Sequence, residues 1–551
     1  MIRQSYSFKE EFPYCVVGSG PVGMAIALEL ERLGKRVLVL EAGALQRDAV
    51  HTAATEAEIV DPQRHAAMSL SVCRVLGGTS WTWGGRCVKY DAVDWQERSW
   101  VPDSQWPIEG SEAERWYERA SEYMLCGGGN FDFPTGKPLE GGITVETVER
   151  WTQEPKLILR HRARLLESQL IEISLQSTVR GLKLSADRSR VEALKVLTPE
   201  GEVEVRAEHI LLAMGGVETT RLLLIAQEEE PVLFGASQGA LGRYYMGHIS
   251  GKIANIVFAD PQSVAEMDFK QEADGTWYRR RYMLTAKEQR QEQLLNTAFW
   301  PDNPAFYDAR HGSGVLSSVF LALAFPPTGR RLLSEAIRLV HTGPRPLKIL
   351  PHLRNAVLGA PGGALDMYRI LRDRLVRRPK KPGFLVQSKS GRYALHYHAE
   401  QIPQAQSRIE LSEARDSFGM KRAKVDLRFA EQDVTSVKRS HEVLDSALRK
   451  NGIGHLEWMY PEAELEAKIL EQASDGYHQA GSTRMGSDPR TSVVKENLQV
   501  HGVANLYVAS SSVFCTSGQA NSTFLAVAMA MRLVHELAEK PAMAELAEHM
   551  A

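Results

Sequence analysis

Apolar residues gather in short runs at 14–17 (YCVV) and within 36–40 (RVLVL), whose last four residues are apolar, and between them residues 24–33 place their apolar side chains at helical intervals. A short β-branched and leucine run reads as a buried parallel strand, and the periodic stretch reads as a helix. Gly34 stands where a helix closes on a left-handed glycine. Strand, helix and strand make one βαβ unit. Two later segments follow the same order. A strand at 209–214 runs through Gly215 and Gly216 into an apolar helix, and a strand at 505–509 runs through a Ser-, Gly- and Thr-rich loop into an apolar helix beginning near Asn521. Alternating, strand-like pieces fill about 151–197, and across 249–478 the nucleotide-binding pattern is lost. The expectation is an α/β fold in which a Rossmann-like domain, 1–248 with 479–551, carries an inserted α+β substrate-binding domain, 249–478.

The first strand ends in Gly18-Ser-Gly20-Pro-Val-Gly23, and the second ends at Glu41, 18 residues beyond Gly23. Glycines there let the backbone come close to a pyrophosphate, and the helix start offers it unpaired N–H groups. An acid at the end of the second strand accepts from a ribose 2′-hydroxyl. The G-x-G-x-x-G pattern alone is common. Set between strand and helix and followed by that acid, it predicts a dinucleotide site at Gly18, Gly20, Gly23 and Glu41. Residues 74–86, RVLGGTSWTWGGR, put Gly77, Gly78, Gly84 and Gly85 around Trp81 and Trp83. Such a loop either runs close along a planar ring system or is an ordinary loop with aromatic anchors.

Composition narrows the partners more than the fold. The 66 Lys and Arg against 68 Asp and Glu leave a net charge of -2, too little field to favour nucleic acid or an anionic membrane along the whole chain. The local exception is 329–381, with thirteen basic residues against three acids, broken by GPRPL and GAPGG into expected short helices. This segment reads as a solvated helical lobe. An anionic substrate group, a membrane surface or a protein partner are the other uses for such charge. Five cysteines without a C-x-x-C spacing, and scattered histidines, predict neither a disulfide scaffold nor a metal site. The first residues carry no twin-arginine pair or apolar export run, and no stretch reaches the roughly 18 apolar residues of a membrane-spanning helix, so a cytoplasmic location without a transmembrane segment is expected. The Gly-rich turn lacks the G-K-[ST] ending of ATP-handling phosphate loops.

Two C-terminal segments are more specific, GYHQAGSTRMGSDPRTSVV at 476–494 and NLYVASSSVFCTSGQANSTF at 505–524. In order and separation they resemble the signature of the glucose-methanol-choline (GMC) oxidoreductase family. The resemblance runs from residue 14 to about 537 and is thin across the basic lobe. It implies FAD as cofactor, in the architecture these enzymes share with p-hydroxybenzoate-hydroxylase-like proteins. It also implies a His facing the flavin and a His or Asn at the start of the last helix. His478 and Asn521 match, a His–Asn choice similar to that of pyranose 2-oxidases. Flavin contacts are implied for Gly77, Gly78, Thr79, Trp83, Gly84 and Gly85, for Val179 and Ala213, and for Ser510, Ser511, Asn521, Ser522 and Thr523. The loop 77–86 contains no His to carry the covalent link seen in some relatives, so non-covalent FAD is expected. Ser510 stands where the family often has Gly, and Cys515 where it often has Pro.

A hydride leaves an alcohol carbon only as the hydroxyl proton departs, and a neutral imidazole with a pKa of about 6.5 is a suitable acceptor. His478 is therefore the expected base. Asn521 can donate an amide N–H to the same oxygen as charge develops. Structural roles are expected for His248, His501 and Glu218. The pattern resembles bacterial members that oxidise sugars and glycosides. The expected reaction is oxidation of a secondary hydroxyl of a pyranoside to a keto-sugar, with oxygen or an organic compound as acceptor. One alternative keeps the chemistry and changes the target to a primary alcohol in aminoglycoside or natural-product tailoring. Another class of reading is an NAD(P)H-dependent flavoprotein monooxygenase. Oligomeric state leaves no signal in the sequence.

Overall fold

The computed structural model describes residues 2, 6–333, 335–343 and 345–539. Residues 1, 3–5 and 540–551 at the ends of the first expected domain, and 334 and 344 in the basic lobe, lie outside the described residues. Five parallel strands form the central sheet in the order Leu506–Val508, Ala207–Leu212, Phe12–Val17, Val37–Leu40, Ile171–Ser174. Every residue of Val37–Leu40 is buried, as an unbroken apolar run covered on both faces requires. The helix Pro21–Arg32 begins with proline at its first position and is followed by Gly34 at φ 72°. It lies against the last helix, Ser522–Glu539. The strand expected at 209–214 thus begins and ends two residues earlier, and the one expected at 505–509 is shorter by one residue at each end. The stretch 151–197 holds strands at Ile171–Ser174, Thr178–Leu184 and Val191–Thr198, but also a helix, Leu157–Glu167. Only Leu157, Ile158 and Leu165 of that helix are buried, too few to announce its period in the sequence.

A second sheet of six antiparallel strands runs Gly454–Trp458, His248–Phe258, Arg392–Glu400, Thr297–Asp302, Tyr282–Leu284, Ile143–Thr144. Its last strand comes from the part of the chain before residue 248. One face is sealed by the helix Glu431–Lys450, through a core that includes Ile256, Phe299, Tyr397, Val437 and Leu444. Side chains alternate across a strand, and a bulge between Gly251 and Ala254 reverses the alternation within His248–Phe258, so the opposite face carries His248, Ser250, Lys252, Trp300, Asp302, His396 and His398. A four-stranded sheet of Lys270–Gln271, Trp277–Arg280, Val148–Trp151 and Arg86–Cys87 brings Arg86, Arg279 and Glu149 towards that polar face.

In the basic lobe, GAPGG at 359–363 does not break a helix. It lies within one long helix, Ile349–Leu371. A Cβ on Gly359 would stand 2.7 Å from the Gly314 Cα, and one on Gly363 would stand 2.8 Å from Val315 Cγ2. The glycines serve close packing against the helix Gly314–Ala324 instead of a turn.

A buried ion pair ties the N-terminal half to the second sheet. Arg98 Nη1 and Nη2 donate to Glu400 Oε2 and Oε1 at 2.7 and 2.6 Å, with both side chains essentially inaccessible. The Asn296 amide N–H donates to the same Glu400 Oε2 at 3.1 Å. Replacing Arg98 by Met strands a buried carboxylate. The expected cost is about 3–5 kcal/mol in chemical denaturation, and Arg98→Met with Glu400→Gln together should cost less than the sum of the two.

Candidate active site

The turn after the first strand is built around three glycines. Gly18 takes φ 102°, and a Cβ on Gly23 would run into the Gly18 carbonyl oxygen, so the helix starts directly on the turn. Gly20 differs, since a Cβ there meets nothing within 4 Å. Its open side belongs to a cavity lined by Gly18, Gly20, Glu41, Gly78, Thr79, Val179, Ala213, Ser510, Ser511, Ser522 and Thr523. The sequence reading had singled out all of these. Ser19, Arg74, Ser177, Met214, Gly215, Glu218 and Gln479, none of them among the expected cofactor contacts, also line it.

Glu41 is buried and accepts from Ser19 N at 3.0 Å, Ser19 Oγ at 2.5 Å and Gly43 N at 2.7 Å. Burial nevertheless pushes its carboxyl above the usual range. Three of a carboxylate's roughly four acceptor directions are filled, which leaves one for a ribose hydroxyl. Ser19 Oγ also accepts from Gly77 N at 3.2 Å, so the turn, the acidic strand end and the 74–86 loop move as one piece. Glu218, taken as structural, pairs with Arg74 at 2.7 Å on the cavity wall. The cradle, the helix start and the buried acid together fit a dinucleotide.

The other candidates in that loop do not line the cavity. Gly77 packs on Ile158 and Gly85 on Thr152, while Trp83 Nε1 donates to the Pro155 carbonyl. Gly84 has no heavy atom near its missing Cβ. These residues pin the loop to the start of helix Leu157–Glu167. Cys515 is buried, donates to the Met485 carbonyl at 3.3 Å and has its thiol pushed up to about 11 by burial, so it is no thiolate at neutral pH. His501 bonds Ser492 Oγ and the Gly486 carbonyl, away from the cavity.

His478 and Asn521 sit beside the cavity's rim, between its lining residues Tyr477 and Gln479 and before Ser522. The Asn521 amide nitrogen lies 2.6 Å from His478 Nε2. His478 Nδ1 lies 2.9 Å from Asp475 Oδ2. Burial works to raise the Asp475 carboxyl, but His478 and His248 hold it well below the usual range, so it is an ionised acceptor. Nδ1 therefore carries the proton and Nε2 keeps its lone pair, which the Asn521 N–H₂ meets.

Two further histidines converge here. The His248 ring centre is 4.5 Å from that of His478 and 4.3 Å from that of His398. Ligand-capable nitrogens of His248, His398 and His478 lie within 4.8 Å of one another, so the histidines are gathered by the fold although scattered in the sequence. Both ring nitrogens of His478 have partners in Asp475 and Asn521. Burial pushes His248 and His398 below the ordinary imidazole range, keeping both neutral at pH 7. Beyond them His396 stacks on Trp300 at 4.4 Å, and the guanidinium carbons of Arg86 and Arg279 lie 4.6 Å from the same ring's centre. Burial pushes His396 down to about 3 and Arg86 down to about 10.

Comparison with known proteins finds two family matches on this arrangement. Residues 13–239 match the FAD dependent oxidoreductase family and residues 403–530 match the GMC oxidoreductase family, the two covering the turn and the His478–Asn521 pair respectively. The two matches together indicate a flavin-dependent oxidoreductase that is similar to the GMC oxidoreductases over its C-terminal segment. C-glycoside 3-oxidase of Arthrobacter globiformis is 33% identical over 126 residues, 23% of this chain and 22% of the relative's length. The chain thus aligns with only about a fifth of that relative. 2-Methyl-1,2-propanediol dehydrogenase of Mycolicibacterium austroafricanum is 22% identical over 94% of this chain and 93% of its own length. In fold the chain is similar to a fungal aryl-alcohol oxidase, with a TM-score of 0.54, 13% identity, and coverage of 97% of this chain and 99% of that one.

Two glycine substitutions separate packing from binding. Gly23→Ala should lower the stability of the flavin-free protein by about 3 kcal/mol in urea unfolding, because the helix must leave its turn. Gly20→Ala should leave that stability within about 0.5 kcal/mol. It should nonetheless weaken flavin retention on dilution, since its methyl enters the cavity.

Proposed function

We propose that the enzyme removes a hydride from a secondary hydroxyl-bearing carbon of a sugar or glycoside, giving a keto-sugar, with FAD held non-covalently. The observation that carries this reading is the imidazole at His478, fixed by Asp475 with its Nε2 lone pair turned to Asn521. FAD, when bound, would supply the hydride acceptor. Every other task falls to the chain. Nε2 of His478 takes the hydroxyl proton, and Asp475 stabilises the imidazolium that results. The Asn521 amide moves its N–H from Nε2 to the substrate oxygen as negative charge grows there. Gly18, Gly20 and the start of Pro21–Arg32 would hold the pyrophosphate and Glu41 the ribose. The start of Ser522–Glu539, with Ser522 and Thr523, would set N–H groups against the ring end that gains negative charge on reduction. No histidine in the 77–86 loop is available for a covalent link.

The polar face of the second sheet favours a polyol over a simple alcohol. Ser250, Lys252, Asp302, His396 and His398 share that face beside His478, and His398 Nε2 and Asn521 Oδ1 are buried without a hydrogen-bond partner among the described residues. Unmet polar atoms select a ligand that carries hydroxyls. The similarity to a C-glycoside 3-oxidase points the same way, and the similarity to a diol dehydrogenase keeps primary and tertiary-flanked alcohols as the second reading.

The test is an anaerobic titration of the purified flavoprotein with monosaccharides, glycosides and simple alcohols, followed through the oxidised-flavin absorbance band. Bleaching by pyranosides and recovery of a keto-sugar support the reading. Bleaching by NADPH alone would replace it with a monooxygenase. His478→Ala should keep the flavin and slow its reduction by roughly a hundredfold or more. Asn521→Ala should slow it by roughly ten- to a hundredfold. A reduction rate unchanged in His478→Ala removes that residue from the chemistry.

A further inference from the structure

A solvated lobe should bury its apolar side chains and show water its charges. The long helix Ile349–Leu371 shows water its apolar side chains as well as its charges. Among the described residues twenty large hydrophobic side chains are exposed, and eight of them are on this one helix. Leu350, Val357 and Leu358 are 79%, 73% and 70% exposed, and Leu353, Leu365 and Tyr368 are exposed with them. At 3.6 residues per turn these six fall within an arc of about 140°. The opposite arc is the one packed into the protein. His352 is inaccessible, Asn355 Nδ2 donates to the Ala309 carbonyl at 2.7 Å, and Gly359 touches Gly314. The helix is anchored through its polar and small residues and presents a stripe of leucine, valine and tyrosine outwards. Such a contiguous apolar patch marks an interaction surface.

The charge around the stripe says what covers it. Residues 329–381 carry thirteen Lys and Arg against three acids, a net +10. Arg354 falls inside the apolar arc and Arg369 at its edge, both exposed. Glu335, Asp366 and Asp373 are each already paired with arginine within the lobe. A second copy of the lobe would bring +10 against +10, so self-association through this face is opposed by charge. An apolar stripe set among long basic side chains, which can reach sideways to phosphate while their stems stay apolar, matches the surface of an anionic bilayer. No helix among the described residues is long and apolar enough to cross a membrane, so the association would be with the surface.

We propose that the outward face of Ile349–Leu371, together with the basic residues of the lobe, docks this enzyme on anionic lipid. The association joins two terms. Charge brings the lobe to the surface, and the apolar stripe enters the headgroup region. Each term can be removed separately without touching the residues of the candidate active site.

The experiment is co-sedimentation of the full-length flavoprotein with vesicles of phosphatidylcholine alone or mixed with phosphatidylglycerol. Binding to the mixed vesicles should exceed binding to the neutral ones roughly tenfold or more and should fall with added salt. Val357→Asp with Leu358→Asp, both solvent-exposed in the protein alone, should abolish it while leaving flavin absorbance and the thermal transition unchanged. Arg354→Glu with Arg369→Glu should weaken it strongly. Equal or absent binding to both vesicle types overturns the proposal. So does binding that salt removes but Val357→Asp with Leu358→Asp leaves intact, which would be adhesion by charge alone. A dimer in light scattering that the same double substitution dissolves would assign the stripe to a second copy instead. Lack of vesicle binding in an enzyme that still oxidises sugars, and binding in one that oxidises none, keep this inference separable from the proposed reaction.

Discussion

A buried carboxylate has four acceptor directions to satisfy, and Asp475 satisfies all of them within the chain. Its Oδ1 accepts from the backbone N–H groups of Tyr477 and His478 at 2.8 and 3.2 Å, and its Oδ2 accepts from His248 N at 2.7 Å and His478 Nδ1 at 2.9 Å. Those partners belong to different parts of the molecule. His248 opens the longest strand of the second sheet, and His478 lies where the chain returns towards the first. The carboxylate therefore sets the imidazole's tautomer and joins the two sheets where the proposed reaction would take place. Gly247 shows how tight the joint is, since a Cβ there would stand 2.6 Å from Asp475 Cβ. Its N–H is held by Gln401 Oε1 at 2.7 Å, and Gln401 N in turn donates to Ser517 Oγ at 3.0 Å, in the loop leading to Asn521.

The cofactor end is organised by a comparable economy. Ser19 joins Glu41 to the glycine turn and to Gly77, so the three segments that would surround the nucleotide share one hydroxyl. Rigidity at both ends would serve the proposed hydride transfer, in which the donor carbon, the base and the acceptor must be aligned within a fraction of an ångström. The basic lobe follows the Thr297–Asp302 strand in the chain, and its His341 stacks on Phe306 at 4.5 Å.

What could be read from the sequence was what lies contiguous in it. The βαβ unit, its turn, Glu41 and the pair His478 and Asn521 sit in short motifs whose geometry is local. The histidine cluster was not legible. His248, His398 and His478 meet only because strand pairing sets His248 opposite Glu400 and Ser250 opposite His398, and no single-chain pattern fixes that register. One signal was present: His396 and His398 in HYHAE, two apart, must share a face if the segment is a strand. Asp475, three residues before His478, was likewise visible but lacked meaning until the loop brought its carboxylate back onto the ring. GAPGG misled because glycines that end helices in water also let helices touch, and only the partner Gly314 decides between the two.

The same ambiguity governs the lobe. A leucine at every third or fourth position announces an amphipathic helix, but not which arc is covered, and here the small and polar arc is the covered one. The charge distribution then carries a consequence that the total of -2 conceals. With +10 in 329–381, the rest of the chain holds -12. Such a molecule is strongly polarised: near an anionic surface the lobe is drawn in and the remainder is pushed away, and the two forces act together as a torque. A uniformly basic protein of the same total lobe charge would bind with no preferred face, so it is the segregation of charge, joined to the exposed stripe, that would make the contact specific.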